Sequence, residues 1–295
     1  MGGILWLASY PKSGNTWVRA FLANLFANQP GPLAINEFNR FAVSDQRVGE
    51  YETLTGRAYQ DIDDEEVNRL RPQAQRMIAA SRPETVLCKT HSRIAVLKGS
   101  PTVEPSVTTG AVYVLRNPLD VAPSYADHFG IDLDTAIAYL CDPNNHIQRH
   151  DRLTFVYLGS WQEHATSWLG APGLRCHFLR YEDLLAEPAR GFGGLVRFLG
   201  LPADPRRFER ALRFSSFDVL RRQEEQSGFV ERSPNAERFF RGGRAGVWRD
   251  IYTPAQLERL IEGCRDGMRR FGYLDEHDRP VETALPIRQQ TGAAG

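Results

Sequence analysis

The sequence predicts an α/β protein with a central, mostly parallel sheet flanked by helices. Three observations carry that expectation. Short apolar or β-branched runs alternate with stretches of helical apolar spacing, and prolines stand where several of those stretches open. The chain of 295 residues is also 42% hydrophobic, enough for a sizeable core.

Gly3 to Ser9 is short, apolar and followed by Tyr10-Pro11, the pattern of a buried strand. Thr16 to Ala27 repeats apolar residues with helical spacing. Residues 29–60 are punctuated by Gly, Pro and Asn and read as loop-rich. Asp63 to Arg82 reads as a charged helix, broken or restarted near Pro72. Thr85 to Cys88, Ala111 to Leu115 and Arg175 to Leu179 read as further strands. Asn117-Pro118 opens a helix, with Asn as cap and Pro in the first turn. Asp132 to Leu140, Ser160 to Leu169, Pro188 to Leu199, Pro205 to Phe214 and Pro254 to Phe271 are expected helices. Residues 226–247 are rich in Gly, Arg and Ser without a period, hence a loop. A single domain is expected over 1–279, with 280–295 as a flexible tail.

Composition narrows the function. Lys+Arg and Asp+Glu are both 36, so no global field attracts duplex nucleic acid or an anionic membrane. No apolar run approaches the roughly 20 residues of a membrane span, and the first residues lack the pattern of a secretory signal. Cys88, Cys141, Cys176 and Cys264 are scattered, with no CxxC pair. They read as reduced thiols of a cytoplasmic protein. Lysine occurs only at Lys12, Lys89 and Lys98. Where arginine supplies almost every other cation, a retained lysine asks whether a compact ammonium is needed.

Ligands of parallel sheets sit outside the carboxyl ends of the strands. The first strand runs into Tyr10-Pro11-Lys12-Ser13-Gly14-Asn15-Thr16-Trp17 and then a helix. Backbone N–H groups at a helix start, a mobile ammonium and two hydroxyls suit an anion. The segment is not a Walker A loop, because Ser9 stands five residues before Gly14 and Asn15 follows it. No acidic Mg²⁺ ligand closes a neighbouring strand, so a phosphate site without a metal is implied. Asn117 and Ser124 lie about two helical turns apart, which puts Ser124 on the helix face that Arg116 adjoins.

These residues resemble the PAPS-dependent sulfotransferases. The loop Tyr10 to Trp17 is similar to that family's YPKSGTTW segment, with Asn15 in place of Thr. Tyr113 to Tyr125 resembles its 3′-phosphate strand and helix, and Lys89-Thr90-His91 its KTH segment. Gly159 to His164 and Tyr181 to Leu184 match shorter blocks. Arg241 to Trp248 is similar to its RKGxxGDW loop, except that Gly242 replaces Lys and Val247 replaces Asp.

The resemblance implies the sulfotransferase variant of a P-loop-like fold. It implies 3′-phosphoadenylyl sulfate (PAPS) as sulfuryl donor, PAP as product and no metal. It places Lys12, Ser13, Gly14, Asn15, Thr16 and Trp17 around the 5′ end of the nucleotide. Arg116, Ser124, Arg241, Gly242 and Gly243 fall at its 3′-phosphate, with Arg244 a substitute for the lost lysine. Trp17, Tyr181, Ser215 and Phe217 fall around the adenine, in a segment where Phe214 stands for the family's common His. His91 becomes the general base, with the ordinary pKa of about 6.5. His128, His146, His150 and His164 are its rivals. Lys12 would stabilise the leaving oxygen, Lys89 would hold the sulfuryl oxygens, and Ser124 would engage Lys12 before the acceptor arrives. The partner is then a small-molecule hydroxyl or amine. Phe38, Phe41, Tyr51, Tyr59, Phe129, Phe239 and Phe240 in the variable segments suggest an apolar or aromatic one. Two other readings stay open, a PAP- or PAPS-binding module without transfer and a P-loop-related small-molecule kinase. Arg249 to Glu258 departs from the family's dimerisation stretch by Arg for Lys and Pro for Val, so monomer and homodimer both remain.

Overall fold

The computed structural model describes residues 2–151 and 153–281. Its strands are β1 (Ile4–Ser9), β2 (Val43–Ser44), β3 (Val86–Thr90), the hairpin β4 (Val96–Leu97) and β5 (Ser100–Pro101), β6 (Thr108–Leu115), the hairpin β7 (His146–Ile147) and β8 (Val156–Tyr157), and β9 (Cys176–Arg180). The main sheet runs β2-β3-β1-β6-β9, and every neighbouring pair in it is parallel. The helices are α1 (Asn15–Ala27), α2 (Gly49–Thr55), α3 (Asp64–Ala80), α4 (Pro118–Phe129), α5 (Leu133–Cys141), α6 (Trp161–Leu169), α7 (Tyr181–Ala186), α8 (Pro188–Phe198), α9 (Pro205–Phe214), α10 (Phe217–Ser227) and α11 (Pro254–Arg270).

The central strands β1, β3 and β6 are apolar over most of their length because both faces of the sheet are covered. Alternate residues go to opposite sides. Trp6, Ala111 and Tyr113 join Ala136, Ile137, Trp161, Trp168, Leu260 and Met268 beneath α5, α6 and α11. Leu7, Val112 and Val114 join Val18, Phe21, Leu22, Phe192 and Leu195 beneath α1 and α8.

The expected elements form; β2, the two hairpins and α7 are added to them, and four further differences stand out. α3 is continuous through Pro72, because Val67, Leu70, Ala74 and Ile78 bury one face and that packing outweighs the missing hydrogen bond. The loop-rich stretch contains α2, whose Tyr51 packs with Tyr59, Val67 and Leu70. α10 forms where no helix was expected, anchored by buried Leu220 and Glu224. Pro280 bridges to Leu274, and the Val281 N–H donates to the Tyr273 carbonyl at 3.2 Å. The rest of the predicted tail lies outside the described residues. Among the described residues, no helix is long and apolar enough to cross a membrane.

Candidate active site

The sheet order sets the place. β1 lies between β3 and β6, so the chain reverses its winding at the carboxyl end of β1 and leaves a crevice there. The segments after these three strands line one cavity of about 1040 Å³.

The turn from β1 into α1 needs two left-handed residues, Lys12 at φ 66° and Gly14 at φ 101°. A Cβ on Gly14 would sit 2.7 Å from the Tyr181 ring, so glycine is required by conformation and by close approach alike. Asn15 is part of the cavity lining, and its amide donates to the Leu7 carbonyl at 3.0 Å and to Ser9 Oγ at 3.3 Å, which ties the turn to β1. Arg116, at the end of β6, donates from Nη1 to the Lys12 carbonyl at 3.0 Å and lies 4.6 Å above the Tyr181 ring centre. Two buried donors around this turn, Ser13 Oγ and Arg116 Nε, have no hydrogen-bond partner. Unmet buried donors beside cations are what an anion would satisfy. The Lys12 ammonium lies 4.1 Å over the Phe239 ring. Burial, aided by the charge of Arg116, lowers its pKa to about 8. Ser124 lines the same cavity from α4, and Thr16 and Trp17 line it from α1.

His91 follows β3. Its Nδ1 lies 2.7 Å from the Ser9 carbonyl, which can only accept, so Nδ1 carries the proton and Nε2 keeps a lone pair. The expected ordinary pKa is not what the surroundings produce. Burial, then the charge of Lys89, holds the imidazole well below 6.5, so the ring stays neutral. His164, one rival, is fully buried. Its Nε2 donates to the His91 carbonyl at 2.9 Å and its Nδ1 accepts from Tyr113 at 2.8 Å, so it supports the strand end with both nitrogens engaged. His146 is exposed and lies outside the cavity lining. His128 and His150 do line the cavity, and burial lowers His128 to about 4. Lys89 Nζ pairs with Glu231 Oε2 at 3.2 Å.

Phe217 lies at the cavity wall, and a Cβ on Gly243 would fall 2.6 Å from its ring. Trp17 meets Tyr181 edge-on at 5.8 Å and Phe192 at 5.4 Å. Arg241 reaches the rim and pairs with Asp127 at 2.7 Å, while Gly242 and Arg244 line the wall beside it. Ser215 is not brought to the cavity. Its hydroxyl donates to the Ala211 carbonyl at 2.8 Å and closes the end of α9.

The Sulfotransferase domain model matches residues 4–272, nearly the whole chain. The chain belongs to the sulfotransferase family. It is 27% identical over 265 residues to dog Sulfotransferase 1B1, covering 86% of this chain and 79% of the relative. It is 25% identical over 273 residues to Cytosolic sulfotransferase 1 of Arabidopsis thaliana, covering 87% and 75%. Two solved structures share the fold. Mouse sulfotransferase SULT7A1 complexed with PAP has a TM-score of 0.59 and 19% identity, covering 90% of this chain and 84% of that one. Retinol dehydratase, in complex with androsterone and PAP, has a TM-score of 0.62 and 18% identity, covering 96% and 82%.

Sequence reasoning missed several residues that shape this sulfotransferase site. The Asp120 carboxylate accepts from the N–H groups of Gly246 at 2.7 Å and Trp248 at 3.2 Å, which pins the C-terminal loop to α4. The acidic residue inside the Asn117-Pro118 helix start was the available signal. Glu231 carried no motif signal at all. Of the seven aromatics expected in the acceptor pocket, only Phe129, Phe239 and Phe240 line the cavity. Phe38, Tyr51 and Tyr59 are buried in other clusters, and Phe41 packs against the first of these. Gln46, Arg47, Gln148 and Thr154 line the cavity as well.

Proposed function

We propose that this sulfotransferase moves a sulfuryl group from PAPS to a hydroxyl or amine of a small molecule and releases PAP, with His91 as general base. The observation that carries this reading is one juxtaposition: a cradle of cations and unmet donors at the β1–α1 turn, opening on the same cavity as a neutral imidazole. Ser13 Oγ, Arg116 Nε and the side-chain-free approach at Gly14 fit an anionic nucleotide.

Lys12 and the backbone of residues 13–17 would hold the donor's 5′ end. Arg116, Ser124 and Arg241 would hold its 3′-phosphate, with Arg244 placed to replace the charge missing at Gly242. Trp17, Tyr181 and Phe217 would enclose the base, and Lys89 would face the sulfuryl oxygens. When bound, PAPS supplies a sulfuryl group on a phosphate leaving group. His91 Nε2 takes the proton from the acceptor, and Nδ1 stays fixed on Ser9, so the imidazolium forms without reorienting. Lys12 offers its charge in a water-poor turn, where it stabilises a developing oxyanion far better than it would in water. The mixed lining of the cavity that holds His91 favours an acceptor with both an apolar face and polar groups, in place of a wholly aromatic one.

Transfer from labelled PAPS with a chelator present, across phenols, sterols and sugars, tests this reading. Product that forms without a divalent ion supports it. Phosphoryl transfer from ATP that requires a divalent ion would replace it with the kinase reading.

Gly14→Ala should weaken PAP binding at least ~10-fold by calorimetry. A Cβ costs roughly 1–2 kcal/mol in the left-handed region and would push the turn off Tyr181. Unchanged affinity would show that the turn does not hold the nucleotide.

A further inference from the structure

Glu231 lies in the segment between α10 and the Arg241 loop, and Val230 to Asn235 of that segment line the outer wall of the cavity. Both its carboxylate oxygens are taken by Arg19 Nη2, at 2.8 and 2.7 Å. Arg19 sits in α1 and is 1% exposed, and its guanidinium also contacts Thr16 Oγ1 at 3.3 Å and Asn39 Oδ1 at 3.0 Å. The same Glu231 Oε2 accepts from Lys89 at 3.2 Å. One carboxylate therefore joins the covering segment to the helix that carries the anion turn and to the cation beside His91.

We propose that Glu231 is a positioning residue that latches this segment over the cavity and keeps Lys89 protonated and aimed at the transfer site. The role at Lys89 rests on the reading of the cavity as a sulfuryl-transfer site; the latch does not.

The charges around Lys89 explain why a carboxylate is needed. Glu231 from the covering segment and Asp45 from beside β2 favour its charge. Arg19 from α1 opposes it, and Lys12 from the β1–α1 turn adds a further cation nearby. His91 and His128 are both held neutral by burial and by these cations, so neither helps. Burial already lowers the Lys89 pKa, and the Glu231 carboxylate is the group that most opposes that fall. The two cations in turn hold the Glu231 carboxyl at about 2, so it remains ionised across the working pH range.

The chain's three lysines make the test direct. Competitive acetylation of the full-length protein without nucleotide, read by mass spectrometry, titrates Lys12, Lys89 and Lys98 separately. In Glu231→Gln the Lys89 midpoint should fall by roughly one pH unit, with exposed Lys98 unchanged as an internal control. An arginine-specific protease should cut at Arg232 and Arg238 at least ~10-fold faster, because the charge-assisted hydrogen bonds from Arg19 to the carboxylate have been lost. Glu231→Asp should restore the Lys89 midpoint. An unchanged midpoint or an unchanged cleavage rate in Glu231→Gln overturns the proposal. Should that variant not fold, Arg19→Lys decides: faster cleavage with an unmoved Lys89 midpoint supports the latch, and unchanged cleavage overturns it. Loss of PAP binding in the wild-type protein would sink the nucleotide reading while leaving both readouts to judge Glu231.

Discussion

His91→Ala lowers kcat by at least ~100-fold, the lower end of what a positioned general base contributes, while PAP affinity stays near that of the parent. The expectation follows from the division of work in the imidazole. Nδ1 is committed to the Ser9 carbonyl at 2.7 Å, and His164 braces the His91 carbonyl from the other side, so the ring is held by groups that do not change during transfer. Only Nε2 is left to accept a proton. Because burial and Lys89 hold the pKa well below 6.5, the base is already unprotonated at neutral pH. Activity should therefore persist as pH falls through 6.5 and decline only when the imidazole charges below that. Steady-state kinetics from pH 5 to 8 measures both effects. Near-parental turnover in the alanine variant would remove His91 from the role.

Lys12→Ala is expected to cost kcat at least ~100-fold as well, the scale of removing one donor to a developing oxyanion. Alanine retains the Cβ and so tolerates φ 66° no worse than lysine does, which isolates the ammonium as the missing part. Lys12→Arg should not rescue. The ammonium sits 4.1 Å over Phe239 and close to Arg116, and a planar fork cannot replace a point charge in that gap. The lowered pKa of about 8 gives a second handle. Lys12 is charged below that value and loses its proton above it, so kcat/KM of the parent should fall as pH rises through 8. That limb should disappear in Lys12→Ala. A full rescue by arginine, or a limb that survives in the alanine variant, would show that the ammonium is not the acting group.

Much of this site is legible in the chain because it is local. The turn from Lys12 to Trp17 is continuous in sequence, and a strand end followed by a cap puts Ser124 on the helix face that Arg116 adjoins. What was not legible depends on contacts between distant segments. Glu231 meets Lys89 across 142 residues, in a stretch whose composition announces only a loop. Ser215 reads as a base-binding hydroxyl, yet in the fold it is a helix end whose hydroxyl bonds back to Ala211. The pKa of His91 depends on enclosure by neighbours that no spacing reveals. Pro72 reads as a break, but the helix face it belongs to is buried along its whole length, and packing outweighs propensity there. The aromatic residues of 29–60 were expected at the acceptor pocket because they are large and loop-borne. Tyr51 and Tyr59 instead build a core of their own between α2 and α3.

Titration calorimetry of the purified protein with PAP, in the presence of a chelator, puts the cation cradle to the most direct trial. Saturable binding that is lost in an Arg116→Ala variant is the expected result. An absence of binding to PAP, accompanied by Mg²⁺-dependent turnover of ATP, would contradict the account.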